Sequence, residues 1–173
     1  MKFKLQNAVF IMINLNEYLQ KAQQKQPEHK KFLGKIKQKP PKDFDRKMLE
    51  IHEDVFERID CLSCANCCKT TGPLFTQKDI ERLANLFRLK PSKFIDKYLR
   101  VDEDNDYVLQ SVPCPFLGAD NYCSVYEHRP KACREYPHTD RKKFYQINHL
   151  TLKNTLICPA AYEVVEEMMK SFK

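Results

Sequence analysis

The sequence predicts a mainly α-helical fold with a small irregular and β part, on three observations. Five segments carry apolar residues at alternating steps of three and four, the spacing of one helix face. Helix-start signals stand in front of several of them, including Thr76 with Asp79, Pro91 and Pro159. Only Tyr107 to Leu109 reads as a strand, and the proline-punctuated stretch from residue 113 to 143 reads as loop.

In chain order, Leu5, Ala8, Met12, Leu15, Leu19 and Ala22 line the first helix, which Pro27 is expected to interrupt or restart. Pro40-Pro41 marks a break, and Asp43 begins a second helix. Phe44, Met48, Ile51, Val55 and Ile59 stripe that helix and lead directly into Cys61. Thr76 caps a third helix while Asp79 reaches back to it, with Ile80, Leu83, Ala84 and Phe87 facing inward. Pro91-Ser92 opens a fourth, burying Phe94, Ile95, Tyr98 and Leu99. The acidic run Asp102 to Asp106 turns the chain into the strand Tyr107 to Leu109. Phe144 to Leu156 divides between strand and irregular structure. Pro159 takes the first position of a final helix striped by Val165, Met168, Met169 and Phe172.

Hydrophobic residues make up 42% of the 173, enough for one modest core. Residues 1–59 read as a lysine-rich helical extension, and 60–173 as a single cysteine-rich domain. Between Lys21 and Lys47 lie ten Lys/Arg and three acids (Glu28, Asp43, Asp45), a balance of 10 − 3 = +7. Such a run is most simply a solvated helix face; as a contact surface it suits an acidic partner or a protein substrate. With only Phe32 and Phe44 as aromatics, it lacks the stacking surface expected for nucleic acid. Three glycines in the whole chain argue against Gly-rich phosphate loops. The longest apolar run, Ala8 to Ile13, is too short to span a bilayer, and no signal-peptide cleavage pattern follows it. A cytoplasmic location is therefore expected.

A reducing compartment changes how the eight cysteines read. Four fall within Cys61-Leu-Ser-Cys64-Ala-Asn-Cys67-Cys68, a doubled Cys-x-x-Cys pattern whose two-residue spacers turn sulfurs toward one point. Clustered thiols there favour a metal over disulfides. Thiolates suit zinc or iron equally, as a mononuclear site, a binuclear site or an iron–sulfur cluster. Cys67 and Cys68 are neighbours whose side chains are expected to point apart and to serve different metals, or only one to serve. The remaining candidates are Cys114, Cys123, Cys133 and Cys158, of which Cys114 and Cys158 precede proline. Eight thiolates suffice for two four-coordinate sites. Their negative charge calls for nearby cations, which Arg129, Lys131 and Arg134 supply; Arg129 or Arg134 is expected to bond sulfur or a loop carbonyl.

The combination Cys61-x2-Cys64-x2-Cys67-Cys68, Cys114-Pro-Phe-Leu and Cys123-x2-Tyr126-x2-Arg129-Pro130-x2-Cys133-Arg134 resembles the CxxCxxCC cysteine-cluster family, over about residues 60 to 160. The resemblance implies a zinc- or iron-chelating domain with the eight cysteines as ligands and Tyr126, Arg129 and Arg134 supporting them. Ala65 stands where many members carry glycine. The cluster is also similar to that of the flagellin lysine-N-methylases, which keeps an iron-dependent protein-modifying enzyme as an alternative. The order of spacings lacks the Cys-x3-Cys-x2-Cys of radical chemistry, and no Gly-rich loop suits S-adenosylmethionine. A thiol-redox protein is a third reading. His128, His138, Tyr126, Tyr136 and Glu135 around the Cys133 loop are the candidate acid/base groups.

Overall fold

The computed structural model describes residues 14–172. In chain order the elements are α1 (Leu15–Gln38), α2 (Phe44–Arg58), α3 (Cys61–Cys64), α4 (Asn66–Thr70), β1 (Leu74–Phe75), α5 (Gln77–Leu86), α6 (Pro91–Tyr98), β2 (Leu99–Val101), β3 (Tyr107–Leu109), α7 (Lys131–Glu135), α8 (Asn148–Thr155) and α9 (Pro159–Ser171). Short 3-10 turns occupy Tyr126–His128 and Phe144–Ile147. The protein is mainly helical with one small sheet. The described residues form two compact units, one from residues 14–64 and 137–172, the other from residues 65–136.

The first unit packs α1, α2, α8 and α9 around Leu33, Ile36, Phe44, Met48, Val55, Phe144, Val164, Val165 and Met168. The expected stripe of α2 holds: Phe44, Met48 and Val55 are buried, with Ile51 packed beside them. Pro159 does stand in the first turn of α9. Of the first stripe, Leu5, Ala8 and Met12 lie outside the described residues, while Ala22 is buried on α1.

Pro27 is a correction. It sits inside α1 without ending it. A mid-helix proline removes one backbone donor and costs about 3 kcal/mol. Here its ring faces solvent, and the helix on both sides is held by packing. Gln26 Nε2 donates to the Leu152 carbonyl at 3.2 Å and to Thr155 Oγ1 at 2.8 Å, and buried His29 bonds Glu166 Oε1 through Nε2 at 2.7 Å. Tertiary contacts of this kind override a local breaker.

Phe144 to Leu156 is likewise corrected, from strand or irregular structure to a 3-10 turn and α8. The buried face of α8 is polar: Thr151, Asn154 and Thr155. Asn154 Nδ2 donates to the Pro137 carbonyl at 3.2 Å and Asn148 Nδ2 to that of Leu33. A helix that buries satisfied polar groups shows no apolar period to read.

The second unit holds a three-stranded antiparallel sheet in the order β1-β3-β2. Its registers set Phe75 opposite Tyr107 and Val101 opposite Tyr107 on the two sides of β3. The strand at residues 107–109 is as expected; its two partners are too short to announce themselves in sequence. Phe75, Ile80, Leu83, Ala84, Phe94, Leu99, Leu109, Phe116 and Val125 form the core. Phe87, Phe94, Tyr98 and Phe116 cluster within it, the Phe94 and Tyr98 rings 5.0 Å apart and those of Tyr98 and Phe116 5.2 Å apart. α5 opens on the capping box read from sequence. Thr76 Oγ1 accepts from the Asp79 N–H at 3.2 Å, and Asp79 Oδ2 accepts from the Thr76 N–H at 3.0 Å.

Candidate metal centre

Five cysteines belong to the second unit. Cys67 and Cys68 lie on α4, a helix of five residues stiffened by threonines. Thr70 Oγ1 donates to the Asn66 carbonyl and Thr71 Oγ1 to that of Cys67, each at 2.8 Å. The two sulfurs are 3.9 Å apart, which corrects the expectation that they point away from each other. Adjacent residues diverge by 180° on a strand but only about 100° on a helix, so neighbouring thiols there can meet. The N-cap of α4 is Ala65, at φ 48° and ψ 21°. That left-handed conformation is the one glycine adopts without penalty.

Cys114 is tied to this helix by its own backbone, since its N–H donates to the Cys68 carbonyl at 2.8 Å. A tight loop then returns the chain to Cys123. The Leu117 N–H donates to the Cys114 carbonyl at 3.1 Å, and Leu117 forms a β-bridge with Cys123. The Gly118 N–H donates to the Tyr122 carbonyl at 2.7 Å, and a Cβ at Gly118 would lie 2.6 Å from Asp120 Oδ1. Cys114 and Cys123 both pack against the second unit's core. Cys133 sits on α7, its N–H donating to the Pro130 carbonyl at 3.0 Å.

What holds the Arg129–Pro130 corner between Cys123 and Cys133 is a pair that the sequence did not disclose. Arg82 Nη2 reaches Asp79 Oδ1 at 2.5 Å, the His128 carbonyl at 3.2 Å and the Arg129 carbonyl at 2.8 Å. Asp79 Oδ1 also accepts from the Lys131 N–H at 3.1 Å, the start of α7. The Asp79 side chain is only 2% exposed. Burial works against its charge, but hydrogen bonds from Thr76, Arg82 and Lys131 win and hold its carboxyl below the usual value. The capping box announced Asp79 as a helix start. Nothing local pointed to a contact 52 residues away.

Arg129 and Arg134, expected to bond sulfur or a loop carbonyl, both reach loop carbonyls. Arg134 Nη1 donates to the Arg129 carbonyl at 2.5 Å, and Arg129 Nε to the Tyr126 carbonyl at 2.9 Å. The Arg129 guanidinium lies 3.5 Å from the centre of the Tyr126 ring. Glu135 pairs with Lys131 at 3.6 Å, and His128 lends its carbonyl to Arg82. His138 falls in the other unit.

These sulfurs share one electrostatic neighbourhood. The Cys68 thiol is lowered to about 7, by the hydrogen bond with Cys67 first and then by Arg129 and Lys69, against burial. Burial pushes Cys114 up to about 11, with the charges of Cys68 and Cys123 adding to it. Burial pushes Cys133 up to about 12, and Cys68, Cys114 and Cys123 raise it further while Arg129 opposes. Cys123 moves up for the same reasons, burial first. Cys114, Cys123 and Cys133 therefore resist ionising, through burial first and nearby sulfur charge second, whereas Cys68 ionises readily, and a cation among them would favour the thiolate at all four. The donor set fits zinc or iron. It is not closed into a shell: among the described residues no three His, Cys, Asp or Glu side chains converge tightly enough to hold an ion.

The first unit carries Cys61, Cys64 and Cys158. Cys61 and Cys64 bracket α3, while Cys158 precedes Pro159 as the N-cap of α9 and its N–H donates to the Asn154 carbonyl at 2.8 Å. Burial pushes the Cys158 thiol up to about 12, against N–H groups of Ala161 and Ala160 and with Cys61 and Cys64 contributing. All eight cysteines are thiols, none of them bridged. No described helix is long and apolar enough to cross a membrane.

No curated protein and no solved structure matches the chain. A sequence model of the CxxCxxCC family, described as a putative zinc- or iron-chelating domain, does match, over residues 60–154, and with more than half of its length covered the chain belongs to that family.

Proposed function

We propose that this is a thiolate metal-binding protein whose principal centre, for zinc or iron, is supplied by Cys67, Cys68, Cys114, Cys123 and Cys133. One observation carries the reading: cysteines from three separate stretches of chain are neighbours, the Cys114 N–H bonding the Cys68 carbonyl at 2.8 Å and the Cys133 thiol feeling the charges of Cys68, Cys114 and Cys123. The bound ion would supply positive charge that keeps the thiols ionised. Arg129, fixed on Tyr126, adds a permanent cation beside the same sulfurs. Arg82 and Asp79 hold the corner that carries it. Cys61, Cys64 and Cys158, of which the first two influence the third, would supply a further set of donors in the first unit.

Raised thiols make metal uptake release protons and weaken as pH falls. Anaerobic purification with elemental analysis tests the assignment. Wild-type protein should carry near-stoichiometric zinc or iron, and Cys68→Ser or Cys133→Ser should lose most of it. Protein that is metal-free, or loading indifferent to both changes, contradicts the reading. A visible sulfur-to-iron absorption band would assign an iron–sulfur cluster, and a colourless zinc-loaded sample a zinc site. The thiol-redox alternative keeps one observation, the 3.9 Å approach of Cys67 to a Cys68 thiol lowered to about 7. Reversible Cys67–Cys68 oxidation in metal-free, folded protein would favour it.

A further inference from the structure

The chain's entire excess charge sits in one place. The whole sequence carries 30 Lys/Arg and 23 acids, net +7; residues 21–47 carry ten and three, also +7, so the remainder holds 20 of each and is neutral. Within that segment Lys30, Lys31, Lys35, Lys37, Lys39 and Lys42 are all exposed, and none forms an ion pair among the described residues. The flanking acids are already engaged, Glu28 by Lys25 at 2.6 Å and Asp43 by Arg46 at 3.1 Å and Lys47 at 3.3 Å. The opposite face of α1 is committed to the core through Ala22, His29, Leu33 and Ile36, so the lysines cannot turn inward. Clustered unpaired like charges repel one another, and an anionic partner is what relieves them.

Beyond the C-terminal end of α1 the basic run meets a cleft of about 260 Å³. Pro41, Phe44 and Tyr145 give it apolar lining, and Lys42, Arg46 and Lys143 give it positive charge. Asp43 and Asp45 line it too, Asp45 Oδ1 accepting from the Lys143 N–H at 2.8 Å. Two carboxylates in the cleft oppose a continuous phosphate backbone. A polypeptide, whose charges alternate with apolar side chains and N–H donors, suits such a mixed lining.

We propose that the lysine face of α1 and the adjoining cleft are a docking surface for an acidic protein segment with an apolar or aromatic anchor. The lysines supply long-range attraction and the cleft takes the anchor. This does not depend on the metal centre.

The test is binding of the full-length protein, as purified, to three labelled probes at physiological ionic strength: a random glutamate–tyrosine copolymer, polyglutamate of equal length, and short duplex DNA. The copolymer should bind about tenfold more tightly than either of the others. The exposed double change Lys31→Glu/Lys35→Glu should weaken it about tenfold. Tyr145→Ala should reduce it to the level of polyglutamate. DNA binding as tight as the copolymer, no binding, copolymer binding that survives the charge reversal, or a copolymer advantage that survives Tyr145→Ala each overturns the proposal.

Discussion

Ala65 shows how much a single backbone angle can say. Its φ of 48° places a Cβ where left-handed geometry crowds it, at a cost of about 1 kcal/mol. Family resemblance had marked this position as one where glycine is common, and the conformation supplies the physical reason. Ala65→Gly should therefore stabilise the protein, by about 1 kcal/mol less the added freedom of the unfolded chain, measured by denaturant unfolding. Asp79 is the opposite case. It is buried and accepts from Thr76, Arg82 and Lys131, so Asp79→Ala leaves donors and the Arg82 charge without their partner. A loss of about 3 kcal/mol is expected in the same measurement. Because its carboxyl lies below the usual value, the Asp79 contribution is present above the unfolded pKa and fades as pH falls through the lowered one. The mutant should show a shallower loss of stability in acid than wild type.

At the scale of elements, α1 and α9 carry the two clearest expectations. Pro27 lies on the exposed side of a helix that continues through it, so the missing backbone bond costs stability without any compensating role in the core. Pro27→Ala should raise stability by about 2 kcal/mol, the helix gain less the greater entropy of the unfolded chain. In α9 the N-cap Cys158 is raised from an ordinary thiol value of 9.0 to about 12. A group raised in the folded state contributes stability that is complete below its unfolded pKa and disappears as pH climbs through the folded one. Metal-free protein should thus lose stability between roughly pH 9 and pH 12, and Cys158→Ala should flatten that slope in unfolding curves recorded across the window. Legibility followed amphipathicity: α2, α5 and α9 were plain because their buried faces are apolar, and Thr76 with Asp79 marked the start of α5. α8 was not, because Thr151, Asn154 and Thr155 occupy its buried face. Pro27 misled because a local breaker was judged without the contacts of Gln26 and His29.

For the molecule as a whole, cysteine spacing revealed the family and the donor chemistry, and what it could not reveal was how the sulfurs divide. Cys64 and Cys67 are three residues apart yet belong to different compact units, and Cys158 stands with Cys61 and Cys64 across almost a hundred residues of chain. Only long-range contacts decide that. The positioning of Arg129 by Arg82 was hidden for the same reason, while the lysine excess was plain as charge and silent about the cleft beside it. All of these lead back to one claim, that sulfur atoms gathered in the second unit hold a metal. X-ray absorption at the metal edge of anaerobically purified protein tests it most directly. The account predicts zinc or iron with a sulfur-dominated shell near ~2.3 Å, reduced in the Cys133→Ser variant. A shell of oxygen and nitrogen alone, or no bound metal, would contradict it.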